Sequence, residues 1–137
     1  MLPSALEIMD ALSIQAAEAA MRAHYPVCNG LLLVEVDGTQ SEVDALMRDV
    51  RALCHNNGAW EIRVAQSEQK CAVVWKGCKA AFAAVGRISP NYIVQDAVIP
   101  RTALPHLLAE IDRLSSEMGL RVAKVFHAVD AVRYDIF

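Results

Sequence analysis

The spacing of apolar and polar positions changes repeatedly along the chain, and each change predicts an element. Residues 4–23 read as a helix. Ser4 and Glu7 have the spacing of a capping box, and alanine is dense at Ala16, Ala17, Ala19 and Ala20. Tyr25-Pro26 ends that run, because proline disfavours a helical residue before it. Leu31 to Val36 is an apolar run of strand length, closed by Asp37-Gly38. Val43, Leu46, Met47, Val50, Leu53 and Cys54 then follow a 3.6-residue period, which predicts a helix over 41–57 with one buried face. Asn56-Asn57-Gly58 is its stop signal. Trp60, Ile62 and Val64 alternate with Glu61 and Arg63, the period of a half-buried strand over 60–65.

The second half repeats the theme. A long helical stretch runs from about Ser67 to Val85, followed by Gly86 and the turn Ser89-Pro90-Asn91. Residues 92–98 read as a third strand. Leu104, Leu107, Leu108, Ile111, Leu114 and Met118 mark one side of a helix over 102–118, with Pro105 in its first turn and Gly119 after it. Residues 120–126 read as a fourth strand. Two strand–helix–strand units predict an α+β fold of ferredoxin-like type. The expected product is an antiparallel four-stranded sheet with helices on one face, plus an N-terminal helix and a helical insert near 67–90. The expected strand order is 120–126, 31–36, 92–98, 60–65.

Composition narrows this picture without changing it. The 137 residues fit a single domain, 1–137, with a helical segment at 1–27 and the main body at 28–137. Apolar residues make up 55% and charged ones 21%, too apolar a balance for disorder. Net charge is −3 and the basic residues are scattered, so no basic face for nucleic acid is expected. Apolar runs are too short for a membrane span, and the start lacks the pattern of a signal peptide. The four cysteines, Cys28, Cys54, Cys71 and Cys78, include no CxxC pair, which argues against a zinc ribbon and for free thiols in a reducing cytoplasm.

Several segments are similar, in order, to one family. Pro3-Ser4-Ala5-Leu6-Glu7-Ile8-Met9-Asp10 resembles the entry to the C-terminal domain of FAD-linked oxidases, the family of glycolate oxidase D subunits and D-lactate dehydrogenases. Leu33-Val34-Glu35-Val36-Asp37-Gly38 resembles its first strand and turn. Trp75-Lys76-Gly77-Cys78-Lys79 resembles its Trp-x-x-Arg-Lys helix. Val85 to Tyr92 and Gln95 to Arg101 follow in the family's order. Val125-Phe126-His127-Ala128 with Asp130 resembles the start of its His-Ala-Gly-Asp-Gly-Asn-x-His motif. The resemblance implies the substrate-side domain of a flavin-linked 2-hydroxy-acid dehydrogenase, in which a separate N-terminal domain binds FAD. It makes His127 the candidate catalytic residue, with Asp130 as a group that could orient it.

The departures from the family shape the expectation. The substrate-carboxylate arginine falls on Cys78, and a thiol cannot supply a bidentate grip on a carboxylate. A reactive thiol there, activated by Lys76 and Lys79, is a lesser reading. The family's second histidine falls on Tyr134, so no metal is expected at His127. The motif's glycines fall on Val129 and Ala131. A chain of this length is expected to lack the FAD domain, to carry no cofactor by itself and to be inactive alone. Expected partners are a second copy of the chain, as a homo-oligomer, or a separate FAD-binding subunit. A stand-alone ferredoxin-like binding or oligomerisation module is the alternative.

Overall fold

A computed structural model describes residues 3–128 and the strand at Val132–Ile136. The elements in chain order are β1 (Ala5–Asp10), α1 (Ala11–Met21), β2 (Gly30–Glu35), α2 (Gln40–Asn56), α3 (Glu68–Ile88), β3 (Gln95–Ile99), α4 (Leu104–Met118), β4 (Lys124–Ala128) and β5 (Val132–Ile136). A short 3₁₀ turn, Arg101–Ala103, leads into α4. The fold is α+β with an antiparallel sheet, as the pattern of the chain predicts. The sheet order is β2-β1-β4-β5-β3, and every neighbouring pair is antiparallel.

Alternation along the strands divides the apolar residues between two faces. On one face Met9 and Val125 join Leu31 and Leu33, and α1 and α3 cover them with Ile14, Ala16, Ala17, Cys78, Ala81, Ala84 and Val85. On the other, Phe126 and Ala128 pack with Leu6, Ile8, Ala97 and Ile99 under Leu104, Leu107 and Leu108 of α4. α2 lies along a groove that also includes Pro3 and Val36.

Four expectations are corrected. Residues 5–10 form a strand, and the helix begins only at Ala11. Leu6 and Ile8 face one layer while Glu7 and Met9 face the other, so the segment serves two cores at once, which a helix would not allow. The helix cap is Asp10, which accepts a hydrogen bond from the Ser13 N–H at 2.9 Å, while the Ser4 N–H donates to the Glu35 carbonyl at 2.9 Å beside the β1–β2 ladder.

Residues 60–65 make no strand. Arg63 there pairs with Glu61 at 2.6 Å and donates to the His24 carbonyl at 2.8 Å, and Trp60 stays exposed. The alternating pattern exists but has no neighbouring strand to pair with.

The sheet has five strands rather than four, because β5 inserts between β4 and β3. The expected order therefore fails. β4, expected at an edge, is paired on both sides, and β2 and β3 are the edges.

Candidate functional site

The register of β1 and β4 sets Glu7 directly opposite His127. Directly opposed residues project to the same face of a sheet, within reach of one another. That face is the one covered by α3, whose cap Ser67 accepts a hydrogen bond from the Lys70 N–H at 3.3 Å. Ten residues into the helix, α3 brings Cys78 down onto the sheet. The three side chains meet at the Glu7 carboxylate. His127 Nδ1 lies 2.7 Å from Glu7 Oε1, and the Cys78 thiol donates to Glu7 Oε2. Glu7 is 7% exposed and Cys78 3%, whereas the His127 side chain is 44% exposed. The cluster thus has a buried base and an accessible rim.

Burying a carboxylate is costly unless its lone pairs are used. Here both oxygens have a donor. Burial pushes the Cys78 thiol pKa up, and the hydrogen bond to Glu7 and that residue's charge push it further. Lys79 acts in the opposite direction but is the smallest contribution. The thiol is therefore held protonated, as a donor, which is the reverse of what a nucleophilic thiolate needs.

Tyr25 braces the helix behind the cluster. After α1 the chain turns through two left-handed residues, Arg22 (φ 49°) and His24 (φ 61°), and Tyr25 returns onto α3. Its hydroxyl donates to the Val74 carbonyl, and its N–H donates to Glu18 Oε2 at 3.0 Å. Burial, and then the proximity of Cys78, push the phenol pKa up. Gly77 makes this contact possible: a Cβ there would stand 2.5 Å from the Tyr25 hydroxyl and 2.8 Å from the Ala23 Cβ.

The structure joins two residues singled out in the sequence, His127 and Cys78, through a third that was not. The sequence pattern assigns Glu7 to a helix cap, and only the strand formed by residues 5–10 turns it toward the sheet face. Its available signal was an acid between Leu6 and Ile8 in a period-2 pattern. Asp130, Val129 and Ala131 lie outside the described residues. Tyr134 pairs with Phe126, and Arg133 is the residue opposite His127.

Among the described residues no group of three His, Cys, Asp or Glu side chains is arranged to hold a metal ion. The described residues also do not build a cradle for the pyrophosphate of a dinucleotide. Such a group seeks free N–H donors at a helix N-terminus. α2 and α3 place Glu42 and Glu68 in those first turns, α1 is capped by Asp10, and α4 carries Pro105 in its first turn. No helix among the described residues is long and apolar enough to cross a membrane.

The sequence pattern of the family described as FAD linked oxidases, C-terminal domain, matches residues 1–133. The chain is 48% identical over 130 residues to the glycolate oxidase subunit GlcD of Escherichia coli (strain K12), covering 94% of this chain and 26% of that protein. It is 25% identical over 130 residues to the glycolate oxidase subunit GlcD of Bacillus subtilis (strain 168), covering 94% of this chain and 28% of that protein. The chain therefore spans about a quarter of the length of these relatives.

Proposed function

This chain belongs to the family of FAD linked oxidases, C-terminal domain, and on that premise we propose that it acts as the substrate-side domain of a glycolate-type 2-hydroxy-acid oxidoreductase. The flavin is held by polypeptide outside residues 1–137. The observation that carries this reading is the Glu7–His127 pair in a chain so close to a glycolate oxidase subunit. Oxidising a 2-hydroxy acid requires an acceptor for the hydroxyl proton, and a half-exposed imidazole backed by a carboxylate is a suitable one. Substrate binding also requires a cation for the carboxylate, and Cys78 supplies none.

Residues 1–137 alone are therefore expected to bind no flavin and to oxidise neither glycolate nor D-lactate. The test is flavin absorbance and dye-linked oxidation, measured on the purified chain and again after mixing with the FAD-binding part of a relative. Stoichiometric flavin on the chain alone would overturn the reading, and so would failure of the mixture to exceed its blank. Four free thiols suit a reducing compartment, in keeping with a cytoplasmic site of action. The exposed apolar residues of α2, such as Leu53, and the open edges β2 and β3 favour self-association as well. Light scattering tests that part, and a clean monomer mass of 15.0 kDa rejects it.

A further inference from the structure

We infer that Glu7 is a positioning residue, which holds the His127 imidazole with its proton on Nδ1 and leaves Nε2 as the one free acceptor. The backbone places the pair before any side chain turns, since Glu7 and His127 are opposed in the β1–β4 ladder. The Nδ1 to Oε1 separation of 2.7 Å is that of a short, charge-assisted hydrogen bond, and Nδ1–H is the donor because a carboxylate only accepts. Glu7 cannot readily swing away. Its second oxygen accepts a hydrogen bond from the Cys78 thiol, and the residue is buried between the sheet and α3. Two donors on two oxygens fix the carboxylate plane, and the plane fixes the ring.

The consequence concerns which nitrogen does chemistry. In a neutral imidazole one nitrogen donates and the other accepts, and the hydrogen bond of the first decides the second. With Nδ1 committed inward, Nε2 is the acceptor of a side chain that keeps 44% of its surface exposed. It suits the hydroxyl proton of a bound alcohol or hydroxy acid. Only the identity of that ligand rests on the proposed function; the tautomer does not. Cys78 enters as the group that anchors the far side of Glu7, so position 78 acts on His127 through the carboxylate. A cation at position 78 would be drawn to the same oxygen.

The tautomer is measured directly by long-range ¹H–¹⁵N correlation on the ¹⁵N-histidine-labelled chain, at a pH where the imidazoles are neutral. The His127 signals are assigned by their loss in His127→Gln. The expected result is Nδ1–H as the major form at His127, with the Nε2–H form that free histidine favours at the other three histidines. Glu7→Gln is expected to shift His127 toward Nε2–H, and Cys78→Ser, which keeps a donor to Glu7, is expected to leave it unchanged. A wild-type His127 in the Nε2–H form overturns the inference, and this reading needs no variant to fold. An unchanged tautomer in folded Glu7→Gln also overturns it. In the mixture with an FAD-binding partner, Glu7→Gln should lower kcat more than it raises KM. If the mixture has no activity while the tautomer is as expected, the proposed function fails and the positioning role stands.

Discussion

On one face of the sheet, α1 buries Ser13, Ile14, Ala16 and Ala17, and α3 buries Gly77, Cys78, Ala81, Ala84 and Val85. On the other, α4 buries no residue fully, and neither does α2 along its own groove. The first face is built from small side chains, which let helix and sheet approach closely and leave little freedom. The second has Phe126 and Ala128 at its centre, ringed by larger aliphatic groups that stay partly in water. The buried carboxylate sits on the first. A charged group away from water needs donors held in place, and only the tightly packed layer holds Cys78 and the β4 backbone rigidly enough. The difference teaches that a strong apolar stripe on a helix is no measure of how deeply it is buried.

The comparison can be broken most sharply at Phe126. It is 1% exposed and is the largest fully buried side chain among the described residues. It is also the centre of the looser layer beneath α4. Phe126→Ala is expected to cost about 3–5 kcal/mol, read from urea unfolding. A loss below about 1 kcal/mol would mean that this layer contributes little. The next test falls on the tight layer. Gly77→Ala gains about 1 kcal/mol of helix propensity, but its new Cβ meets the Tyr25 hydroxyl and the Ala23 Cβ. Tyr25 is tied to the Val74 carbonyl and cannot yield cheaply. A net loss of roughly 1–2 kcal/mol is expected, and a stabilised variant would show that α3 is free to move.

The two layers also explain what could be read in advance. α2, α3, α4 and β2 were legible to within a few residues because their period or their stop signals are local. α1 was legible as a helix from its alanines, but its beginning was not. Leu6-Glu7-Ile8-Met9 satisfies both a helix start and a strand, and the choice is made by β2 and β4, which lie far away in sequence. The same physics misled in reverse at 60–65, where Trp60-Glu61-Ile62-Arg63-Val64 alternates without a partner. β5 carries a short mixed pattern, Val132-Arg133-Tyr134-Asp135-Ile136, and becomes a strand because β3 and β4 leave a slot for it. Two of the three residues in the cluster were legible because they occupy motif positions of a family. Glu7 was not, because its role depends on the misread strand.

The buried thiol gives the tight layer a pH signature. The folded state raises the Cys78 pKa above its ordinary 9.0. A raised acid contributes its stability in full below the unfolded value and loses it as pH climbs toward the folded value. Above about pH 9 the unfolded chain releases the proton and the folded chain does not, so stability should fall by at most about 1.4 kcal/mol per pH unit from this group. Urea midpoints between pH 7 and 10.5 check it. Cys78→Ala should flatten the alkaline limb relative to wild type. An equally steep limb in the variant would assign the effect to other groups.

The smallest expected effect falls on α2, which like α4 buries no residue fully. Leu53 lies on the apolar stripe of α2 and is 62% exposed, beside an open groove of about 470 Å³ formed with Pro3 and Val36. A side chain that leaves so much surface in water has little burial to lose. Leu53→Ala is therefore expected to change stability by no more than about 0.5 kcal/mol in dilute solution, the usual range for a surface site. The concentration of the chain is the control that gives this small number meaning. A monomer has a urea midpoint independent of concentration, whereas a dimer that covers α2 is stabilised by mass action and lost on dilution. If Leu53→Ala stays neutral at every concentration, the α2 stripe is a true solvent face. If the wild type gains stability as concentration rises tenfold and Leu53→Ala does not, a second copy covers that stripe, and the exposure of this helix belongs to the isolated chain alone.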